Sequence, residues 1–306
     1  MNFRKAFSDL FFTEKRGRAI ENSVSLASQM FHFVAFELEK PRVQFDAAML
    51  IFSVDVDAGS RELGLINGGK NDANVHKCFS EFCIGEIEGR AFPVFVKTFN
   101  DFEVPATFAV RGQITEVADN ILNMLINSPV KHDIGAHGYS HRNFQSLSRK
   151  EAEEELEKIA AGLRKFNVVP KSFVYPRNMV SHLDLLEKFN YECYREAAGS
   201  FFGDHMYIEK KGGLYNIQPS LYLNLSITPI ILERILDVAI SKKVPLHLWF
   251  HPWTFGDSDE LIKKYVKNVF VPFLKYAQTK KRSGVLTFET MLSATEKAKE
   301  ILGDTI

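Results

Sequence analysis

His137 and His141 stand four residues apart in the segment HDIGAHGYSH, with His132 just upstream. Neutral imidazole is the commonest metal ligand among the side chains, so the pair raises the question of a metal centre. One helical turn of spacing lets both rings face one ion. Taken alone, such a pair is more often two loop histidines bonded to backbone groups. Two acids elsewhere shift the balance. Asp55 and Asp57, in SVDVDAG, are two residues apart on an expected strand and so point to the same side of it. Asp57 with His137 and His141 makes a carboxylate and two imidazoles, a set that leaves positions open for water and substrate. It suits Zn²⁺, and also Co²⁺, Mn²⁺ or Fe²⁺. Asp55 then remains as a base, kept ionised by the nearby metal charge. DVDAGS opens like a calcium loop, but the EF-hand spacing and terminal glutamate are missing. His251, at the end of LHLWF, is placed to give a proton to a leaving amine, whereas His247 within that strand reads as a packed histidine. Trp249, Trp253 and Phe255 surround His251; aromatic faces bind sugar rings, although core packing is their more frequent use. His76, Cys78 and Cys83 form a weaker zinc alternative without a fourth ligand nearby.

Serial strand–helix units must position these residues. AAMLIFSVDVDAG is an apolar run ending in acids, as expected of a buried parallel strand with its functional end C-terminal. VPATFAV, HDIGAHG, KSFVYP, VPLHLWFHPW and GVLTF read as further strands. VADNILNMLIN, SRKEAEEELEKIAAGLRKF, SHLDLLEKF and DSDELIKKYVKNVFVPFLKYAQ read as helices between them. That alternation implies an α/β fold with a parallel sheet, open or closed into a barrel. In such folds the working residues sit at the C-terminal strand ends. Asp55 and Asp57, His137 and His141, Tyr175 to Asn178, and His251 all fall there.

In order along the chain, SVDVDAG, PATFAV, DIGAHGYSH, FVYPRN and LHLWFHP resemble the motifs of the NodB-type polysaccharide deacetylases, carbohydrate esterase family 4, over residues 47–290. The resemblance implies a distorted (β/α) barrel, taken to span residues 47–306, and the apolar recurrence in AIENSVSLASQMFHFVAFELEK reads as an N-terminal helical extension before it, over 1–46. It implies a metal-dependent hydrolase that removes acetyl groups from sugars. Asp55 then matches the catalytic base, Asp57, His137 and His141 the metal ligands, and His251 the late acid. The backbone N–H of Arg177, after the motif proline, matches an oxyanion donor. Tyr175, Asn178, Trp249 and Trp253 are the expected substrate contacts. Two departures stand out. Val56 separates aspartates that are usually adjacent, and Val174 stands where an arginine usually precedes the proline by two. Arg177 is the expected replacement in orienting Asp55.

The bulk composition bounds the remaining classes. The chain has 306 residues, zero formal net charge and 45% apolar residues, so it can build a full core and carries no electrostatic signature of nucleic-acid binding. Twenty-seven phenylalanines point to a thick aromatic core. Three cysteines are too few for a disulfide framework, and the N-terminus lacks a continuous apolar signal region, so a reducing cytoplasm is the expected compartment. Phe3, Phe7, Leu10 and Phe11 share one helical face among basic residues. The segment 1–18 is thus a candidate for peripheral membrane contact, although packing on protein is the commoner fate of such a face. The leading expectation is N-deacetylation of a sugar or glycan precursor in surface polysaccharide (O-antigen or capsule) biosynthesis. The alternatives are a non-sugar amidohydrolase, such as a cyclic-imide hydrolase, and an inert sugar-binding relative.

Overall fold

A computed structural model describes residues 33–57, 90–196, 205–255 and 258–303. The segment 1–18 and the His76, Cys78 and Cys83 group lie outside the described residues. A curled half-barrel sheet is built around β1 (Ala48–Val56), every residue of which is buried. On one side β1 pairs in parallel with β9 (Pro245–Phe250). On the other it pairs with β10 (Leu286–Glu289) along its N-terminal half and with β2 (Thr107–Val110) along its C-terminal half. The sheet continues in parallel through β3 (Asp133–Ala136), β4 (Ser172–Val174), β5 (Cys193–Arg195) and β7 (Leu214–Ile217). The edge strand β6 (Ile208–Lys211) runs antiparallel to β7, and β8 (Leu221–Tyr222) flanks β9 at the opposite edge. Among the described residues no helix is long and apolar enough to cross a membrane.

The period-two alternation of strands divides the side chains between two clusters. Leu50, Phe52, Val54 and Val56 of β1 join Phe108, Val110, Leu246, Leu248 and Phe250 in the large core beneath the helices. Phe92, Phe95 and Phe99 of α1 (Phe92–Asp101) pack there too, with Phe52, Phe250 and Phe270 at ring-centroid distances of 4.7–5.4 Å from Phe95 or Phe99. The thick aromatic core is therefore present. Met49 and Ile51 face the other way, into a smaller cluster with Ala109, Val174, Cys193, Tyr215 and Ile217. The next residues of that parity are Ser53, Asp55 and Asp57. One face of β1 thus runs from an apolar floor to a polar mouth.

Of the helices after β1, α2 (Ile114–Val117) and α3 (Asp119–Ile126) follow β2. The next helix, α4 (Arg149–Arg164), begins with a reciprocal capping box between Ser148 and Glu151. After it come α5 (Leu183–Lys188) and α6 (Pro229–Lys242). The single helix expected over the segment beginning DSDELIKK is instead three pieces. These are α7 (Asp259–Tyr265), a π turn (Val266–Phe270) and α8 (Val271–Arg282). Pro272 in the first turn of α8 has no N–H to donate, and its ring crowds the carbonyl four residues back; the wider π turn accommodates it. The C-terminal α9 (Met291–Leu302) closes the floor with Met291, Ala294 and Ala298.

Candidate active site

Asp57, His137 and His141 converge at the mouth, each buried, with one potential ligand atom of each within 4.8 Å of the others. β1 delivers Asp57 and β3 delivers His137. His137 Nδ1–H donates to the Val174 carbonyl at 2.8 Å, which leaves Nε2 carrying the lone pair. That Nε2 and the Nδ1 of His141 are buried without a hydrogen-bond partner. Burial lowers the His137 pKa against the opposing pull of Asp55 and the Val174 carbonyl. Burial, helped by the charges of His137, Arg111 and Arg177, holds His141 well below its usual value. Both rings are therefore neutral, and a buried polar atom without a partner costs about 1–3 kcal/mol. Two neutral imidazoles, each with one unpartnered nitrogen, beside a buried carboxylate fit a divalent cation, with nitrogen and oxygen donors of the kind zinc takes.

Asp55 is also buried, and two residues of pleat put it on the same face as Asp57. The guanidinium that grips it belongs to Arg195, at the end of β5. Nη1 lies 2.7 Å from Oδ1 and Nη2 lies 2.5 Å from Oδ2, a bidentate fork. This corrects the expectation that Arg177 orients Asp55. The register explains the substitution: Val174 on β4, where the arginine was expected, is the direct partner of Arg195 on β5. The charge has moved one strand along while still facing the same carboxylate. Burial raises the Asp55 pKa, but Arg195, His137 and His251 outweigh it and the net shift is downward.

A chain of bonds holds Arg195 in turn. Its Nη1 donates to Ser53 Oγ at 2.8 Å, and Ser53 lies 2.7 Å from His247 Nε2. His247 Nδ1–H donates to the Ile217 carbonyl at 3.1 Å, so Nε2 accepts from the Ser53 hydroxyl. His247 is thus a packed histidine, as the sequence indicated, but one that backs the Asp55–Arg195 pair. The Trp249 ring lies 4.3 Å from the guanidinium carbon, a cation–π contact, and Asn178 Oδ1 accepts from Nη2 at 3.4 Å.

His251 Nε2 lies 3.7 Å from Asp55 Oδ2 and 3.4 Å from Asp57 Oδ2. Tyr222 on β8 approaches its Nδ1 at 3.2 Å and Thr254 at 2.5 Å. Burial pushes the His251 pKa down to about 4, with Arg195 and His137 adding to the fall and Asp55 opposing it. Trp253 stacks on the His251 ring at 4.5 Å and donates its indole N–H to Asp57 Oδ1 at 3.0 Å. Each tryptophan therefore spends one ring face on the site's own side chains.

Tyr175 departs from its expected role as a substrate contact. Strand parity sends it into the large core with Phe173 and Phe144, fully buried, where its hydroxyl donates to the Ser181 carbonyl at 2.8 Å. Arg177, immediately after Pro176, adopts the left-handed region at φ 58°, and its charge is felt at His141. His132 stands apart from the mouth. Its Nδ1 accepts from the Ala106 amide at 3.3 Å, its Nε2 lies 3.2 Å from Asn100 Oδ1, and its ring meets the edges of Phe99 and Phe108.

Arg195 and Tyr222 escaped the sequence reading. Both sit on strands of two or three residues, too short to show a period. Only the register of a neighbour, Val174 for Arg195 and Trp249 for Tyr222, brings them to the site.

The family model described as polysaccharide deacetylase matches residues 85–192, which contain both the histidine motif and the FVYPRN segment. The peptidoglycan deacetylase of Helicobacter pylori is 26% identical over 149 residues, 47% of this chain and 48% of that protein. The match thus spans about half the length of this curated relative. A structure assigned to the polysaccharide deacetylases from Mycobacterium smegmatis superposes with a TM-score of 0.63 at 18% identity, covering 87% of this chain and 96% of the other. A second, from Pseudomonas aeruginosa PAO1, gives 0.61 at 15% identity, covering 83% and 92%. These two share the fold. The motif segment and the half-barrel on which the motif residues sit are thus similar to those of the polysaccharide deacetylases.

Proposed function

We propose that the protein is a metal-dependent deacetylase that hydrolyses an N-acetyl group on a sugar or glycan precursor, in the assembly of a surface polysaccharide such as O-antigen or capsule. The observation that carries this reading is a buried base, Asp55, beside a buried Asp57, His137 and His141 set at one strand-end mouth, in which one nitrogen of each imidazole has no hydrogen-bond partner. Those three residues would hold the ion, with zinc the best match to two imidazoles and a carboxylate. Such an ion supplies Lewis acidity toward a carbonyl oxygen and makes a water nucleophilic near neutral pH.

The chain's own groups do the rest. Asp55, kept ionised by the Arg195 fork, takes the proton from the attacking water. The Arg177 N–H is the donor assigned to the oxyanion. His251 rests neutral near pH 7, so the proton that it hands to the leaving amine must first reach it. The Asp55 carboxyl, protonated by then, is 3.7 Å away. Trp249 and Trp253, both partly exposed beside His251, are the aromatic groups proposed to meet the sugar. The protein is expected to work in the cytoplasm, where glycan precursors are assembled.

The test is acetate release by zinc-loaded protein across acetylated sugar nucleotides, lipid-linked glycans, chitin and peptidoglycan fragments, and cyclic imides. Release from one acetylated sugar class is expected. Turnover of a cyclic imide with no acetate from any sugar would overturn the proposal.

A further inference from the structure

Glu155 lies outside the catalytic set, on the buried face of α4, and is 5% exposed. A carboxylate buried that far from water needs a reason, because its desolvation is costly unless strong hydrogen bonds replace the water. Its partners all come from the loop between the two candidate histidine ligands. Oε2 accepts from the Tyr139 amide at 2.9 Å and the Ser140 amide at 2.8 Å, and Oε1 accepts from the Ser140 hydroxyl at 2.6 Å. From the opposite side the end of β2 grips the same loop. The Gly112 amide donates to the Gly138 carbonyl at 2.8 Å, and the Gln113 amide donates to the Tyr139 carbonyl at 3.0 Å. The His137 amide donates to the Val110 carbonyl at 3.0 Å.

This loop needs holding. Gly138 is at φ 64° and His141 at φ 62°, the left-handed region that a histidine seldom occupies. Backbone in such a conformation persists only where the surroundings over-determine it. Apolar packing against α4 could not accept two backbone N–H groups at one point, whereas a carboxylate oxygen does.

We propose that Glu155 is a positioning residue for the metal centre: its carboxylate clamps the 137–141 loop so that both imidazoles face Asp57 before the ion arrives. The proposal rests on Asp57, His137 and His141 being the ligands. Its content is that part of the metal affinity is stored in a helix that never touches the ion.

Zinc affinity of the full-length, metal-free protein tests it, measured by competition with a chromophoric chelator at a temperature where circular dichroism shows each variant folded. Glu155→Ala is expected to raise the Kd about 10- to 100-fold, the usual effect of losing a group that orients a ligand. Glu155→Gln is expected to stay close to wild type, because its carbonyl oxygen can take both amides while its amino group donates to Ser140 Oγ. A residue that only stabilised the fold would lower the melting temperature of the metal-free protein and leave the Kd of the folded protein unchanged; that result overturns the clamp. If Glu155→Ala does not fold, Glu155→Asp carries the test, since one methylene less draws the carboxylate back from the amides. A raised Kd supports the clamp and an unchanged Kd overturns it. Wild type that binds no zinc, or His137→Ala that binds as tightly as wild type, removes the ligand assignment and the clamp together. Binding lost in His137→Ala but unchanged in Glu155→Ala removes the clamp alone.

Discussion

Asp55 and Asp57 stand two residues apart, share a face and carry the same functional group, yet their surroundings divide the work. Asp55 is filled by the two-pronged contact of Arg195, whereas Asp57 meets Trp253 and the candidate ligand histidines. Asp55→Asn is therefore expected to keep its zinc and lose hydrolysis by about 100-fold or more, the scale of a general-base contribution. Metal analysis and steady-state rates on one preparation check this, and activity within a few-fold of wild type would remove Asp55 from the role. Arg195→Met should leave the zinc ligands untouched but strand Asp55 as a buried, unpaired carboxylate. Breaking such a pair costs about 3–5 kcal/mol. A lowered melting temperature and a lowered kcat at full zinc content are expected. Arg195→Lys restores the charge but not the fork, so it should recover stability better than rate. Asp55, Asp57, His137 and His141 were legible because each sits in or beside a patterned strand with a distinctive spacing. Arg195 was not, because CYR shows no period and its value appears only when β4 and β5 are laid side by side.

At the scale of elements, the site depends on how closely β2 and the histidine loop approach. A Cβ placed on Gly112 would stand 2.8 Å from the Tyr139 Cα and 2.9 Å from its ring, closer than real atoms come. Backbone cannot yield as a flexible side chain can, so Gly112→Ala is expected to displace the loop and weaken zinc binding. Calorimetric titration of the metal-free variant checks this, and wild-type affinity would show that the loop yields without moving its ligands. The longer elements were readable from their patterns: β1 from its apolar run, α4 from its Ser148 start and its periodic buried face. The strands β5 to β8 span only two to four residues each and are specified by pairing rather than by composition. The break around Pro272 was visible as a residue but not as a π turn, since the sequence does not say whether a helix bends, ends or widens there. Tyr175 shows the same limit. Its place next to a motif proline drew it toward the site, while the parity of a three-residue strand sent it into the core.

Across the whole molecule, one set of buried groups links the candidate active site to the stability of the fold. Burial lowers the His247 pKa from 6.5 to about 3, with Arg195 contributing and the Ile217 carbonyl opposing. Between those values the unfolded chain takes up a proton that the folded chain refuses. Stability is then complete above about pH 6.5 and falls as the pH drops toward 3, by up to about 1.4 kcal/mol per pH unit from this residue. His132, lowered to about 4 by burial, acts in the same direction. Denaturant unfolding of wild type and His247→Gln from pH 8 to 4 checks this. The difference in stability between them should shift in favour of the variant as the pH falls, and a pH-independent difference would contradict it. The central claim, that one ion at Asp57, His137 and His141 works with Asp55 to release acetate, is tested most directly by titrating metal-free protein with zinc. Acetate release from an N-acetylated oligosaccharide substrate is followed at each addition. The account predicts negligible release without metal, a linear rise and a plateau at one equivalent, with no rise in His137→Ala. Full turnover by the chelated protein, or a rise in His137→Ala equal to that of wild type, would contradict it.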